Sequence, residues 1–245
     1  MGKFSCALER RWADPKERKM WYEGAAAYWS NVTTEDNNGV LGGYGCVHAA
    51  DAKDSLLFSR ALATRSLLKA RSIDSPTFGL DVAAGIGRVT DAVLLEICDV
   101  VDLLEGSEVL LEAARVKLAQ APRVGRFFHS SMQSFLPEPG RYHLIWIQWC
   151  IGSLTDEDLV AFLCRCKAAL APGGLIVIKD NVPQESTEDL EGGTYLVDHV
   201  DNSVMRSQAH LEEMLTKTCG LELLEHAEAQ LGNEELQPVH SYALR

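Results

Sequence analysis

"LDVAAGIGR", residues 80–88, joins a short apolar run to a turn that contains two glycines. The apolar run, which starts at Phe78, predicts a buried strand, and a helix is expected from Arg88. Gly85 and Gly87 let the backbone come close to a ligand, and the start of the next helix offers free N–H groups. The stretch therefore predicts a strand–turn–helix unit that binds a ligand at its turn.

Strand-like and helix-like segments alternate after this unit. Ser107 and Thr155 are expected N-caps of two helices, and Asp158 forms a capping-box-like pair with Thr155. Pro172-Gly173-Gly174 is expected to end the second helix. Near-continuous apolar strands separated by helices predict a parallel sheet covered on both faces. The predicted strands are 78–84, 99–105, 125–131, 143–149 and 175–181, followed by a helix over 207–218 and an antiparallel pair near 221–229 and 239–245.

Polar groups stand at the ends of these predicted strands. "WIQWCIG", residues 146–152, places the amide of Gln148 beside the indole of Trp149 where a core strand should close. Glu105 ends another strand, 18 residues after Gly87, where a carboxylate suits two ribose hydroxyls. Because parallel sheets bind ligands beyond the carboxyl ends of their strands, the sequence predicts a nucleoside cofactor there.

Two nucleoside cofactors are candidates for the glycine turn. The NAD fingerprint needs a third glycine, and this chain has Thr90 at that position. S-adenosylmethionine has no pyrophosphate to seat, and Arg88 could bind the carboxylate of its amino-acid part. The terminal antiparallel strand pair is also typical of methyltransferases. The residues therefore favour S-adenosylmethionine over NAD.

The first 77 residues precede the sheet and are largely helical in pattern. They carry an aromatic stripe that runs from Trp21 to Trp29, and then a glycine-rich stretch, "GVLGGYG", at 39–45. We expect residues 1–77 to form a helical lid on the substrate side and residues 78–245 to form the cofactor-binding core, within one structural domain.

Composition and charge exclude several classes of protein. The net charge of −12 argues against binding to a nucleic-acid backbone. No stretch approaches the roughly 18 to 20 apolar residues that span a membrane, and the start of the chain lacks an apolar secretory segment. The seven cysteines form no CxxC pair, which indicates reduced thiols in the cytoplasm or nucleus and no metal site.

The chain resembles the eukaryotic alpha N-terminal protein methyltransferases, which act on proteins that begin X-Pro-Lys or X-Pro-Arg after Met removal. The resemblance covers roughly residues 20–245 and is carried by "YW…GVLGGYG", "LDVAAGIGRVT", "IWIQWCIGSLTD", "IVIKDN", "VDNSVMR" and "SYALR". It implies a class I methyltransferase (Rossmann-like) α/β fold with a seven-stranded, mostly parallel sheet. It also implies S-adenosylmethionine as the methyl donor and protein N-termini as substrates, and we expect a monomer.

The resemblance also implies a set of site residues. Asp201 matches the family's proposed base, and Asn181 is expected to hold the first backbone carbonyl of the substrate. Together with the glycine turn, the cofactor residues are expected to be Ala83, Gly85, Arg88, Glu105, Met132, Gln133 and Gln148. The substrate residues are expected to be Leu41, Gly42, Val47, Trp149, Asn181, Asp198 and Ser203.

Several positions depart from the family's pattern. Ser153 stands where the family often carries a His that is proposed to accept a proton, and a neutral hydroxyl cannot take a proton at pH 7. Asp201 would then act alone, with His199 expected to face solvent. Gln237 replaces a substrate-facing Tyr, while Ala83 for Gly and Glu105 for Asp are mild changes. Two other functions stay open: methylation of a small amine or lipid headgroup, and a non-catalytic scaffold that binds S-adenosylmethionine.

Overall fold

The computed structural model describes residues 6–66, 68, 76–184 and 190–245. Apolar and β-branched runs become strands where the sequence predicts them, with ends that differ by a few residues. In chain order the strands are β1 (Phe78–Val82), β2 (Val100–Glu105), β3 (Val124–His129), β4 (Tyr142–Gln148), β5 (Leu170–Asn181), β6 (Tyr195–Asp198), β7 (Ser203–Arg206), β8 (Leu223–Glu228) and β9 (Val239–Leu244).

One sheet contains seven of these strands, in the order β3-β2-β1-β4-β5-β9-β8. Strands β1 to β5 pair in parallel. Strand β9 pairs antiparallel with β5, and β8 pairs antiparallel with β9. The order reverses between β1 and β4, so the carboxyl ends of these two strands flank a crevice of the kind that binds nucleoside cofactors.

Helices cover both faces of the sheet, and the described part of the chain before β1 is also mostly helical. They are α1 (Ala7–Ala13), α2 (Pro15–Trp29), α3 (Asn37–Val40), α4 (His48–Thr64), α5 (Leu95–Ile97), α6 (Glu108–Lys117), α7 (Asp156–Ala169) and α8 (Gln208–Glu213). Helical backbone begins at Arg88 and reaches α5 through a π-helical segment, Thr90–Leu94. A second π-helical segment, Met214–Thr218, extends α8. Within the described ranges, no helix combines the length and apolar character needed to cross a membrane.

The predicted helix caps are confirmed. The side chain of Ser107 accepts a hydrogen bond from the backbone N–H of Leu110. Thr155 Oγ1 accepts from the N–H of Asp158, and its own hydroxyl donates to the Asp158 carboxylate. Each cap satisfies an N–H that the helix itself leaves without a partner.

The prediction that Pro172-Gly173-Gly174 ends α7 is wrong. The helix stops at Ala169, and these three residues lie in the first part of β5. A Cβ on Gly174 would come within 2.6 Å of the Tyr142 carbonyl oxygen, so the two backbones approach closely there. The glycine therefore serves strand packing rather than a helix C-cap.

The hairpin formed by β6 and β7 is an element that the sequence patterns do not predict. Its strands have four residues each and lie outside the main sheet. Tyr195 and Val204 are buried against the aromatic rings of Trp12 and Trp21. The hairpin is therefore attached to the N-terminal helices, which brings the loop between its strands to the carboxyl edge of the sheet.

The core lies on both faces of the sheet, because side chains alternate along each strand. Ile145 and Ile147 of β4 join one cluster with residues of α7 and α8. Leu144 and Trp146 join a second cluster that includes Phe58 of α4 and the π-helical segment. Helix α4 thus covers part of the sheet, and it carries N-terminal residues to the strand ends.

Candidate active site

A cavity of about 950 Å³ opens at the carboxyl ends of β1, β2, β4 and β5. The N-terminal helices and the β6–β7 hairpin enclose it. Every site residue predicted from the sequence lines this cavity, namely Leu41, Gly42, Val47, Ala83, Gly85, Arg88, Glu105, Met132, Gln133, Gln148, Trp149, Asn181, Asp198, Asp201 and Ser203. Ser153 and Gln237 line it as well, whereas His199 is exposed and lies outside it, as expected. The individual roles of these residues stay predictions.

The buried carboxylate of Glu105 shapes the glycine turn. One oxygen accepts the N–H of Gly85 at 2.8 Å, and the other accepts the N–H of Ser107 at 2.8 Å. Burial raises the pKa of Glu105, against the lowering effect of these backbone N–H donors. Both oxygens keep further lone pairs, so the carboxylate can still accept hydrogen bonds from ligand hydroxyls.

The turn contains a strained alanine. Ala83 has φ +52°, in the left-handed region that costs an L-residue about 1–2 kcal/mol. Ala83→Gly removes this strain, but glycine loses more conformational entropy on folding than alanine does. We therefore expect a net stabilisation of about 0.5–1 kcal/mol. The midpoint temperature of thermal unfolding should then rise by about 1–4 °C. Ala84 lies outside the left-handed region, so Ala84→Gly should lower the midpoint, and equal shifts for both variants would contradict this account.

Arg88 and Gln148 are both held by Asp51, a residue of α4. Arg88 Nη1 donates to Asp51 Oδ2 at 2.6 Å, and Gln148 Nε2 lies 2.9 Å from each Asp51 oxygen. The remaining amide atom of Gln148, Oε1, accepts from Trp146 Nε1 at 2.8 Å. Both cavity-lining side chains therefore have fixed orientations, and a ligand carboxylate would meet the nitrogens of Arg88 other than Nη1.

Trp149 follows β4 with φ +53°, which turns its ring out of the strand direction. The Arg88 guanidinium carbon lies 5.2 Å from the centre of this ring. The indole N–H of Trp149 is buried and has no hydrogen-bond partner among the described residues. Next to it, Asn181 Nδ2 donates to the Gln237 carbonyl at 3.0 Å. The cavity lining therefore includes an apolar ring as well as polar groups.

The loop of the β6–β7 hairpin carries the predicted base, Asp201. Its Oδ1 is buried without a hydrogen-bond partner among the described residues. Burial raises the pKa of Asp201, hydrogen bonding with Ser203 lowers it, and the charge of Asp198 raises it further. The neighbouring Asn202 has φ +54° and donates to the Trp21 carbonyl at 3.1 Å, so helix α2 fixes the position of this loop.

Gly152 determines how closely the hairpin approaches the end of β4. A Cβ at this position would lie 2.7 Å from the Val204 carbonyl oxygen and 3.3 Å from Ser203 Cβ. We expect Gly152→Ala to displace β7 at a cost of about 1–3 kcal/mol. Because the loop with Asp201 moves too, kcat/KM for a peptide substrate should fall about 10-fold, while the Kd of S-adenosylhomocysteine stays within twofold. Steady-state kinetics and calorimetry would check this, and unchanged kcat/KM despite the stability loss would contradict it.

Residues 17–245 match the sequence profile of a family described as AdoMet dependent proline di-methyltransferases. The chain belongs to this family. Its cofactor is therefore S-adenosylmethionine, and the seven-stranded α/β fold predicted from the sequence is confirmed as that of S-adenosylmethionine-dependent methyltransferases.

Named relatives of this methyltransferase family agree with the assignment. The chain is 39% identical over 235 residues to alpha N-terminal protein methyltransferase 1 of Oryza sativa subsp. indica, which covers 93% of this chain and 72% of the rice protein. It is 38% identical over 231 residues to N-terminal Xaa-Pro-Lys N-methyltransferase 1 of Bos taurus, covering 94% of this chain and 97% of the bovine protein. The structure of a SAM-dependent methyltransferase from Leishmania major matches with a TM-score of 0.82 at 33% identity, over 95% of this chain and 85% of that one.

The residues around the cavity fit S-adenosylmethionine. Among the described residues that line the cavity, Arg88 is the one Lys or Arg side chain, and Asp51 forms an ion pair with it. The lining carboxylates outnumber it, so the cavity suits a sulfonium cation and a cationic amine. These carboxylates are Asp81, Glu105, Asp158, Asp180, Asp198, Asp201 and Glu235. Among the described residues, no group of His, Cys, Asp or Glu could hold a metal ion.

Sequence reasoning missed buried aspartates at the site, among them Asp180 and Asp51. Asp180 accepts the N–H groups of Ile151 at 3.3 Å and Asn181 at 2.8 Å, and burial raises its pKa to about 6. The polar run "KDN" at the end of a buried strand was the available signal. Asp51 had no comparable signal in the sequence, because its place in the buried stripe of α4, with Ser55 and Phe58 at helical spacing, is visible only in the structure.

Proposed function

We propose that the protein transfers methyl groups from S-adenosylmethionine to the free α-amine of proteins that begin X-Pro-Lys or X-Pro-Arg. The observation that carries the proposal is the shared cavity, which is lined both by Glu105 and the glycine turn and by Trp149, Asn181 and Asp201. The name of the rice relative supports protein N-termini as substrates, and the name of the bovine relative supports the Xaa-Pro-Lys sequence.

The cofactor and the residues that line the cavity have separate roles in this reaction. When bound, the cofactor supplies a methyl group on a sulfonium, which a neutral amine can attack. The Trp149 ring offers a surface for a proline ring, and Asn181 can donate to the first backbone carbonyl of the substrate. Asp198, exposed at the mouth of the cavity, can pair with the Lys or Arg at the third position.

Removal of the amine proton is assigned to Asp201. An α-amine has a pKa of about 7.7–8.0, so part of it is charged at neutral pH and must lose a proton before transfer. The Ser153 hydroxyl donates to the Cys150 carbonyl at 2.9 Å, so it is engaged by the backbone. Asp201 has a buried oxygen that lacks a hydrogen-bond partner within the described part of the chain, and its pKa is raised; both favour proton acceptance by this carboxylate.

The test is mass spectrometry of a Ser-Pro-Lys peptide incubated with the enzyme and S-adenosylmethionine, beside its N-acetylated twin. We expect mass gains of methyl units on the free peptide alone, since acetylation removes the nucleophilic lone pair. The number of units gives the degree of methylation. Gain on ethanolamine but not on the peptide would overturn the substrate class, and cofactor binding without any transfer would indicate a scaffold.

The setting of the protein is a further part of the proposal. We propose that it acts as a monomer in the cytoplasm or nucleus and binds neither nucleic acid nor membrane. The seven free cysteines support the compartment, and the net charge of −12 argues against binding to nucleic acid. Light scattering after size exclusion would check the monomer, and a dimer mass would contradict it.

A further inference from the structure

Asp51 lies at a junction of three elements of the cofactor site. It sits in the first turn of α4 with its side chain fully buried. Besides Arg88 and Gln148, it forms an ion pair with Lys179, whose Nζ lies 2.8 Å from Asp51 Oδ1. Arg88 follows β1, Gln148 ends β4, and Lys179 lies near the end of β5. One side chain from the N-terminal part of the chain thus connects the strand ends around the cavity.

The charges at this junction depend on Asp51. Arg88 and Lys179 are both buried, and a buried cation without a counter-ion is strongly destabilising. Burial alone would raise the pKa of Asp51, but the charges of Arg88 and Lys179 outweigh it and hold the pKa below its ordinary value. Asp54 is a second partner of Lys179, at 2.9 Å, and makes no hydrogen bond or ion pair with Arg88 or Gln148.

The geometry at Gln148 shows why an amide could not replace the Asp51 carboxylate. Four donor contacts, from Arg88, Gln148 and Lys179, converge on two Asp51 oxygens. Asn would offer one acceptor oxygen and place an NH₂ group against at least one of these donors. Because Trp146 holds the other end of the Gln148 amide, Gln148 cannot flip without losing that bond.

We propose that Asp51 is a positioning residue of the cofactor site, which holds Arg88 and Gln148 in the orientation that binds S-adenosylmethionine. The N-terminal helix α4 thereby completes a site whose other parts belong to the sheet. This inference rests on the cofactor roles of Arg88 and Gln148 in the proposed function. Asp51 would then be necessary for cofactor affinity although it does not itself contact the cofactor.

The experiment compares Asp51→Asn with Asp54→Asn in the full chain. Calorimetry measures the Kd of S-adenosylhomocysteine, and kinetics measure KM for S-adenosylmethionine and for the peptide separately. We expect Asp51→Asn to weaken S-adenosylhomocysteine binding about 30-fold and to raise the cofactor KM, with the peptide KM within twofold. We expect Asp54→Asn to keep the cofactor Kd within twofold, since Asp54 contacts neither Arg88 nor Gln148 and Asp51 still pairs with Lys179.

A purely structural role would give a different result. The folded fraction of Asp51→Asn would then bind S-adenosylhomocysteine like the wild type, with only a lower unfolding temperature, and the inference would be overturned. Should Asp51→Asn fail to fold, Asp51→Glu keeps the charge but displaces the carboxylate, and wild-type affinity in that variant overturns the inference equally. The measurement of cofactor binding needs no peptide. Failure of the wild type to methylate X-Pro-Lys peptides would therefore contradict the proposed substrate without affecting the test of Asp51.

Discussion

Asp201→Asn should lower kcat for an X-Pro-Lys peptide by about 100- to 1,000-fold, while the Kd of S-adenosylhomocysteine stays within twofold. A positioned general base contributes typically 10²–10⁴ to rate, and an amide cannot accept the proton of the ammonium form. Asn keeps the size of the side chain and its hydrogen bonding with Ser203, so the loop geometry is retained. Single-turnover methylation of the peptide, with bound cofactor in excess, is the direct measurement.

The stability of this variant separates lost chemistry from lost structure. Burial raises the pKa of Asp201 in the native state, so its charged form is disfavoured there. The stability linked to this group is fully present below the unfolded-state pKa near 3.9 and is lost as pH rises through the native pKa. At pH 7 the charged group therefore costs stability, and Asn removes that cost. We expect the midpoint of unfolding for Asp201→Asn to equal or exceed that of the wild type at pH 7.

Asp198→Asn is the matched comparison, three residues earlier on the same hairpin. Its carboxylate is exposed and accepts the N–H of Val200 at 2.7 Å. Loss of its charge should raise the peptide KM and leave kcat within about threefold, because it binds substrate without accepting the proton. If Asp201→Asn kept near-wild-type kcat, the base assignment would be wrong, and Asp180, with a pKa of about 6, would be the next candidate.

Local patterns predict the elements on which the site is built. The apolar run before Gly85, the caps at Ser107 and Thr155, and the antiparallel pair at the C-terminus depend on residues close in the chain, so their signals are readable. The same patterns locate Glu105 and Gln148 at strand ends, and the parallel sheet then brings those ends to one edge. The predicted site residues at these strand ends meet in one cavity for this reason.

Contacts between distant parts of the chain leave no comparable signal. Asp51 and Gln148 are 97 positions apart, and nothing local indicates that a helix in the N-terminal part carries the counter-ion of Arg88. The β6–β7 hairpin is also missed, because its strands have four residues and depend on packing against Trp12 and Trp21. Such positions are selected by tertiary contact, which overrides weak local preference.

Glu105→Gln should weaken S-adenosylhomocysteine binding about 100-fold. The carboxylate accepts the N–H groups of Gly85 and Ser107, and we assign its other lone pairs to the two ribose hydroxyls. Hydrogen bonds to a charged group contribute about 1.5–3 kcal/mol each, so loss of one or two of them corresponds to this factor. Gln must also turn its NH₂ group toward one backbone donor, which loosens the glycine turn. Calorimetric titration with S-adenosylhomocysteine measures the change.

Glu108→Gln is the control for the loss of a negative charge near the turn. Glu108 is an exposed glutamate at the start of α6, three residues further along the chain, and it does not line the cavity. A long-range effect of charge would weaken cofactor binding in both variants, whereas the assigned hydrogen bonds predict a loss for Glu105→Gln alone. Glu105→Asp keeps the charge but shortens the side chain by one methylene, so its affinity should fall between those of Glu105→Gln and the wild type. If Glu105→Asp bound S-adenosylhomocysteine as weakly as Glu105→Gln, the affinity would depend on the reach of the carboxylate to the turn and not on its charge near the ribose.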